Sequence, residues 1–369
     1  MTKRETLLPS PEEELLLQAA LGDRPTALPA WEAWCSAFDY DDLNSGTRRL
    51  FPLLHANLSA FGIVDRRLAP KDDSQRLGWY RSQQLMQRLR RVLSSFSDAG
   101  IETILLKGLP LAFAYYDHPD HRPIGDLDVM VRHRDWRRAV DILIATGWHT
   151  DDPEIDPLQR SAHAIVFIDR QGFEFDLHSS PFQECVELPK LEGFWNAAIP
   201  LVRPGIVSLS LCASDQLLHC LTHGLRRNEV SSVRWVADAV MILRREPELD
   251  WQRLLEQSAI LRLRRPVSTG LAYVAALFPN LVPAKILGAF AGHTVGWLEH
   301  VEWHARKHER LTGPGSRLGA FFRLHGQRPL RDQLAALPSY LADTFGTRSR
   351  VETAIALGRK SLKALRKRS

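Results

Sequence analysis

The chain has 369 residues, of which 44% are hydrophobic and 25% charged, with a formal net charge of +5 and a pI near 9.1. That is the composition of an ordinary globular protein, long enough for two or three domains around a sizeable core. No window reaches the roughly 18 uninterrupted apolar residues that a membrane helix needs. Cys35, Cys185, Cys212 and Cys220 are scattered without a C-x-x-C pair, which points to a reducing compartment and speaks against a cysteine-based zinc site. The N-terminal MTKRETLLPSPEEELLL meets its acidic run before any apolar stretch of signal-peptide length. A soluble, cytoplasmic protein is the expectation, and the charge permits a polyanionic partner without requiring one.

The first hundred residues pattern as helices. Ser10 is placed to cap a helix that opens with Pro11 and carries Glu12, Glu13 and Glu14 in its first turn. Apolar residues recur at three- and four-residue spacing over Arg48–Leu58 and Ser74–Ser97, with a break near Pro70 and Lys71-Asp72-Asp73. Residues 1–98 are therefore read as a helical cap.

From residue 99 the period changes. Ile101–Leu106 and Asp126–Val131 pattern as strands, Leu109–Tyr116 and Asp135–Thr146 as helices, the second closed by Gly147. Ala162–Asp169 and Phe173–His178 pattern as an antiparallel pair turning at Arg170-Gln171-Gly172. The expected fold class is α+β: a small mixed β-sheet core over residues 99–182, one face covered by helices, flanked by N-terminal and C-terminal helical regions. Beyond Pro181 the patterning returns to helix at Ser214–Arg226, Val233–Arg244, Trp251–Arg262 and Val267–Leu277, so residues 183–369 are expected to be mainly helical. Thr312-Gly-Pro-Gly-Ser316 is a loop, and GRKSLKALRKRS at the end carries six basic residues and no acid. That tail is a solvated helix end or a contact for nucleic acid or membrane.

The chemistry concentrates in the core. Strand alternation puts Asp126 and Asp128 on one face and Leu127, Val129 and Val131 on the other. Glu174, Asp176 and His178 likewise oppose Phe173, Phe175 and Leu177. Carboxylates presented over an apolar backing suit Mg²⁺, which takes one or two carboxylates plus substrate phosphates and waters; Mn²⁺ is compatible with the same ligands. Gly108 leads into a helix N-terminus, where free N–H groups attract phosphate. Lys107 and Arg122 stand beside it as phosphate-neutralising cations. Together these describe a two-metal phosphoryl- or nucleotidyl-transfer site.

A glycine turn, a helix, D-x-D on a strand and a third Asp on a later strand form an order that resembles the polymerase-beta-type nucleotidyltransferase superfamily. More closely, LLKG, YY and RPIGDLDVMV followed by FEFDLH resembles a bacterial group described as nucleotidyltransferase family proteins. The resemblance is strong over about residues 100–180 and looser over the helices with His219, His223, Trp235 and Asp238. It implies that Asp126 and Asp128 bind both metals, and that Asp176 binds the catalytic metal and helps activate the acceptor hydroxyl. Gly108 then lets the backbone approach a nucleoside triphosphate. The wider superfamily usually places Ser after this glycine, whereas this chain has Leu109, so backbone N–H groups and Lys107 are expected to substitute.

His178, His223, Trp235 and Asp238 are the further residues assigned to substrate. His178 orients a carboxylate or touches substrate. His219 and His223 stand at the i, i+4 spacing that can bind zinc, but without the intervening Glu of an H-E-x-x-H site, so they are structural or line a pocket. Trp235 and Asp238 line the acceptor pocket or are, more plainly, a core aromatic and a paired acid. The expected activity moves a nucleoside monophosphate from a triphosphate to a hydroxyl or phosphate acceptor, which is a small molecule, a peptide or a polymer precursor. A D-x-D sugar-nucleotide glycosyltransferase and a non-catalytic nucleotide- or protein-binding module are the alternatives.

Overall fold

The computed structural model describes residues 7–68, 74–151, 163–185, 188–226, 233–308, 319, 321–323 and 329–345. The break near Pro70, the Thr312–Ser316 loop and the basic C-terminal tail lie outside them.

Local sequence accounts for the first helices. In α1 (Pro11–Leu21) the Glu13 backbone N–H donates to Ser10 Oγ at 3.4 Å, and the Ser10 N–H donates to Glu13 Oε2 at 2.9 Å. This reciprocal cap stabilises a helix start by about 1 kcal/mol. Glu13 is buried because its second oxygen accepts from Thr47 Oγ1 at 2.9 Å, which ties α1 to α3 (Ser45–Arg48). Between them run α2 (Arg24–Ala37), and after them α4 (Phe51–Ala60) and the long α5 (Ser74–Asp98). Leu85, Leu89, Val92 and Phe96 make the buried stripe of α5.

Six strands form one mixed sheet in the order β3-β4-β2-β1-β6-β5. They are β1 (Thr103–Leu105), β2 (Leu127–Val131), β3 (Ala164–Ile168), β4 (Glu174–His178), β5 (Ile199–Arg203) and β6 (Ile206–Ser210). β2 runs antiparallel to β1 and parallel to β4, and β1 runs parallel to β6. α6 (Gly108–Ala114) follows β1, and α7 (Trp136–Ala145) follows β2. Gly147, at φ +95°, accepts the left-handed conformation that stops α7, and the Trp148 N–H closes back on the Leu143 carbonyl at 3.0 Å. Gly172, at φ +77°, turns the β3–β4 hairpin while Asp169 Oδ1 accepts from the Gln171 and Phe173 backbone N–H groups.

One face of the sheet, with Leu127, Val129, Val131, Phe175 and Leu177, packs on α5 and on Trp136, Ala139, Val140 and Leu143 of α7. The other face is covered too, which differs from the single covered face expected. Ile104, Leu106 and Met130 belong to the same core as the N-terminal helices and the C-terminal helices. Those C-terminal helices are α8 (Leu188–Ala197), α9 (Ala213–Gly224), α10 (Arg234–Arg245), α11 (Trp251–Ile260), α12 (Arg264–Leu277), α13 (Ala284–Ala291), α14 (Trp297–His308) and α15 (Leu330–Phe345). The β5–β6 hairpin is absent from the helical expectation past Pro181. It is an edge hairpin whose Ile199, Val202 and Val207 face solvent, so its alternation lacks a clean polar face. The Pro204-Gly205 dipeptide between two β-branched runs is the signal that identifies it.

Candidate metal and nucleotide site

β1 hands the chain to α6 through Lys107, whose φ of 52° and ψ of −118° lie where a side chain is strained. The Leu106 N–H still pairs with the Asp128 carbonyl at 3.0 Å, so the strain falls on Lys107 alone. Its ammonium donates to Asp128 Oδ1 and lies 3.8 Å from Asp176 Oδ2. The parallel register pairs Asp128 with Asp176 and Met130 with His178, so all four side chains share a face. His178 Nε2 stands 2.9 Å from Asp128 Oδ1. A carboxylate only accepts, so this nitrogen carries the proton. Ligand atoms of Asp128, Asp176 and His178 all lie within 4.8 Å of one another.

The charges explain how such a cluster survives burial. Burial alone disfavours the Lys107 ammonium, but the carboxylates of Asp128, Asp126 and Asp176 outweigh it and hold its pKa above the usual value. Asp126 stands one residue before β2. The negative charge of Asp128, with burial second, pushes its carboxyl up. Burial, and then Asp128, pushes Asp176 up to about 7. Burial and Lys107 drive His178 well below its ordinary value, so its imidazole is neutral. The cluster holds more carboxylates than one lysine can offset, a condition that a divalent cation relieves.

Asp238 organises the other half of the site. Its Oδ1 accepts from Arg122 Nε at 2.7 Å and from Tyr116 Oη at 2.7 Å, and its Oδ2 accepts from Arg122 Nη2 at 2.8 Å. The remaining Arg122 nitrogen lies over Gly108, 2.9 Å from where a Cβ would stand. Gly108 therefore admits the arginine to the first turn of α6. Leu109, at the position where the superfamily usually has Ser, is buried in the sheet core. Arg234 Nη1 donates to the Pro123 carbonyl at 2.8 Å, and burial followed by Arg122 lowers its pKa to about 10.

The substrate residues are distributed unequally. His178 is in the cluster. Trp235 is a buried core residue, packed on Gly224 and 5.8 Å from the Tyr273 ring. Asp238 spends its two oxygens on Arg122 and Tyr116. The His219 and His223 rings stack at 5.6 Å, with Phe182 against His219. Among the described residues they join no metal-ligand group. Burial, then the Lys107 charge, pushes both well below the ordinary imidazole range.

Sequence reasoning missed His163, whose ring lies 5.5 Å from that of His178. It also missed Glu184, which accepts from Arg226 at 3.2 Å and from Arg306. Tyr116 and Arg234 were likewise not singled out. His163, Glu184 and Arg234 belong to no short motif, because their partners stand elsewhere in the chain, and Tyr116 is marked only by the YY pair before RPIGD.

A family model described as uncharacterised nucleotidyltransferase matches residues 45–279. No curated protein matches the sequence. The structure is similar to the crystal structure of an antigenic nucleotidyltransferase-like protein from Paracoccidioides brasiliensis. That likeness has a TM-score of 0.37 at 14% identity, over 56% of this chain and 94% of the other, and is too distant to carry an argument.

Proposed function

The chain belongs to the family of uncharacterised nucleotidyltransferases, and on that premise we propose that it moves a nucleoside monophosphate from a nucleoside triphosphate to a hydroxyl or phosphate acceptor, with Mg²⁺ or Mn²⁺. Asp128 and Asp176 in parallel register, with the Lys107 ammonium between them, carry this reading. A cation already sits where a divalent ion is needed, and hard carboxylate oxygens fit Mg²⁺. Asp128, Asp176 and Asp126 would hold the metal, and His178 would orient Asp128. When bound, the metal supplies charge neutralisation at the transferring phosphoryl group.

The chain's own groups do the rest. Lys107, released from Asp128, reaches phosphate oxygens. Arg122, fixed by Asp238, stands over Gly108 at the start of α6. Residues 99–182 are the catalytic unit, widened by the β5–β6 hairpin, between a helical cap (1–98) and a C-terminal helical part (183–369). The site would lie on the Lys107 face of the sheet, where the acceptor meets the neutral histidines.

The test is a binding titration of each nucleoside triphosphate, with and without metal, on the wild type and on an Asp126→Ala/Asp128→Ala variant. Metal-dependent binding that the variant loses supports transfer and names the donor for an acceptor screen. Binding of sugar nucleotides alone sinks it in favour of a glycosyltransferase. The Lys107–Asp128 ion pair also favours a second reading, a non-catalytic nucleotide-binding module that keeps lysine in place of metal. A module of that kind keeps its ligand binding in Asp176→Ala.

A further inference from the structure

A cleft of about 1310 Å³ runs between the N-terminal helices and the core, bounded by residues of α3, α4, α5, the 118–125 loop and the β5–β6 turn. Arg48, Arg49, Arg81, Arg90, Arg122 and Arg203 line it, against only Asp120 and Glu174. Several arginines elsewhere are paired with carboxylates, as in Arg253–Asp215, Arg226–Glu184 and Arg132–Glu102. Here, among the described residues, Arg122 alone is so paired, with Asp238.

Four of the others, Arg48, Arg81, Arg90 and Arg203, contact neutral groups. Arg48 donates to the Asp41 carbonyl at 2.9 Å and lies over the Tyr40 ring. Arg90 donates to the Pro204 carbonyl, and Arg203 to the Val202 and Phe113 carbonyls. Arg81 lies over Phe173, and the Arg49 guanidinium stands 3.6 Å from where a Cβ on Gly125 would be. Carbonyls and rings fix a guanidinium in place while leaving its charge uncancelled. The cleft is thus a set of positioned positive charges without counter-charge.

We infer that this cleft takes a single-stranded nucleic acid, whose phosphodiester chain leads one end to the carboxylate cluster. Three features select a strand. The guanidiniums come from four separate segments, so one phosphate group cannot meet them, whereas a chain of phosphates can. The volume exceeds the roughly 300–1,000 Å³ of a small-ligand pocket. Rings of Tyr40, Phe113, His118 and His121 line the same cleft, and aromatic rings beside guanidiniums are what unpaired bases stack on. Gly125 and Glu174 line the cleft and stand one and two residues before Asp126 and Asp176, so the cleft reaches the chain beside the cluster. Calling the strand the acceptor rests on the transferase reading; its binding does not.

Anisotropy of labelled single-stranded RNA and DNA of about 12 nucleotides, titrated with the full chain at several salt concentrations, tests this. Each phosphate contact contributes about 0.7 to the log–log salt slope. An Arg49→Gln/Arg81→Gln variant is expected to flatten the slope by about 1.4, a loss of roughly 25-fold at 0.1 M salt. Arg49→Lys/Arg81→Lys restores most of it, and Arg137→Gln, on the exposed face of α7, changes nothing. Binding that persists in Asp126→Ala/Asp128→Ala separates this proposal from the transferase reading. No strand binding overturns it, as does a slope that the Arg49→Gln/Arg81→Gln variant leaves unchanged. Displacement of the strand by equimolar inorganic tripolyphosphate also overturns it, since that outcome marks a small-phosphate site.

Discussion

Lys107 and Asp128 form an ion pair at the end of β1, and the lysine reaches it from a backbone conformation with φ at 52°. A non-glycine residue held there is strained by about 1–3 kcal/mol, which the surrounding structure must offset. The pair offsets part of it by answering the repulsion among three carboxylates.

Replacing the lysine isolates that role. Lys107→Met leaves Asp128 without its charged donor and is expected to cost about 1.5–3 kcal/mol in metal-free buffer. Added Mg²⁺ should then raise Tm more in the variant than in the wild type, because the ion takes the vacated place and stabilises by mass action. Equal Tm responses in the two proteins would separate Lys107 from the metal site.

The acidic residues make the sharpest case for catalysis. Asp126→Asn and Asp128→Asn are expected to lower the transfer rate by at least roughly 10²–10³-fold, the scale for losing a preorganised charge at a reacting centre. Circular dichroism should stay that of the wild type, because Leu127, Val129 and Val131 still pack the opposite face. Full turnover in either variant contradicts the proposed chemistry.

Arg122 depends on Asp238 for its position. Asp238→Asn removes the counter-charge of a buried guanidinium and its second acceptor oxygen, and a broken buried pair costs about 3–5 kcal/mol. Gly108→Ala sets a methyl 2.9 Å from the clamped Arg122 nitrogen, an overpacking cost of about 1–3 kcal/mol. Calorimetry on the two single variants and the double variant should show less than additive losses, since both act through Arg122. Strict additivity argues against that linkage.

Acid should unfold the protein in two stages. Burial holds His163, His219 and His223 well below the ordinary imidazole value of 6.5. Below about 6.5 the unfolded chain binds protons that the folded chain refuses, so stability falls as pH drops. Burial opposes ionisation of Glu184, but Arg306, Arg226 and Arg323 outweigh it and depress its pKa below the ordinary carboxyl value of 4.5. Its contribution is complete above that value and is lost as pH falls further. In His219→Gln the first stage should shrink, by up to about 1.4 kcal/mol per pH unit, while the second remains. A Tm–pH curve identical to the wild type's refutes the assignment.

Much of this molecule is local and therefore readable in the chain. The Ser10 cap, the helix stop at Gly147 and the hairpin at Gly172 depend on residues a few positions apart. Side-chain alternation, equally local, is enough to put Asp126 and Asp128 opposite Leu127 and Val129, and Asp176 and His178 opposite Phe175 and Leu177. Pairing decides everything beyond that. Only the parallel register of β2 and β4 brings Asp128 to Asp176, and only helix packing brings Asp238 to Arg122 across 116 positions. The edge hairpin at 199–210, the covered second face and the arginine cleft follow from the same long-range packing. Periodicity tells which way a side chain points, whereas its partner depends on chain closure over tens to hundreds of residues, and no local pattern encodes that.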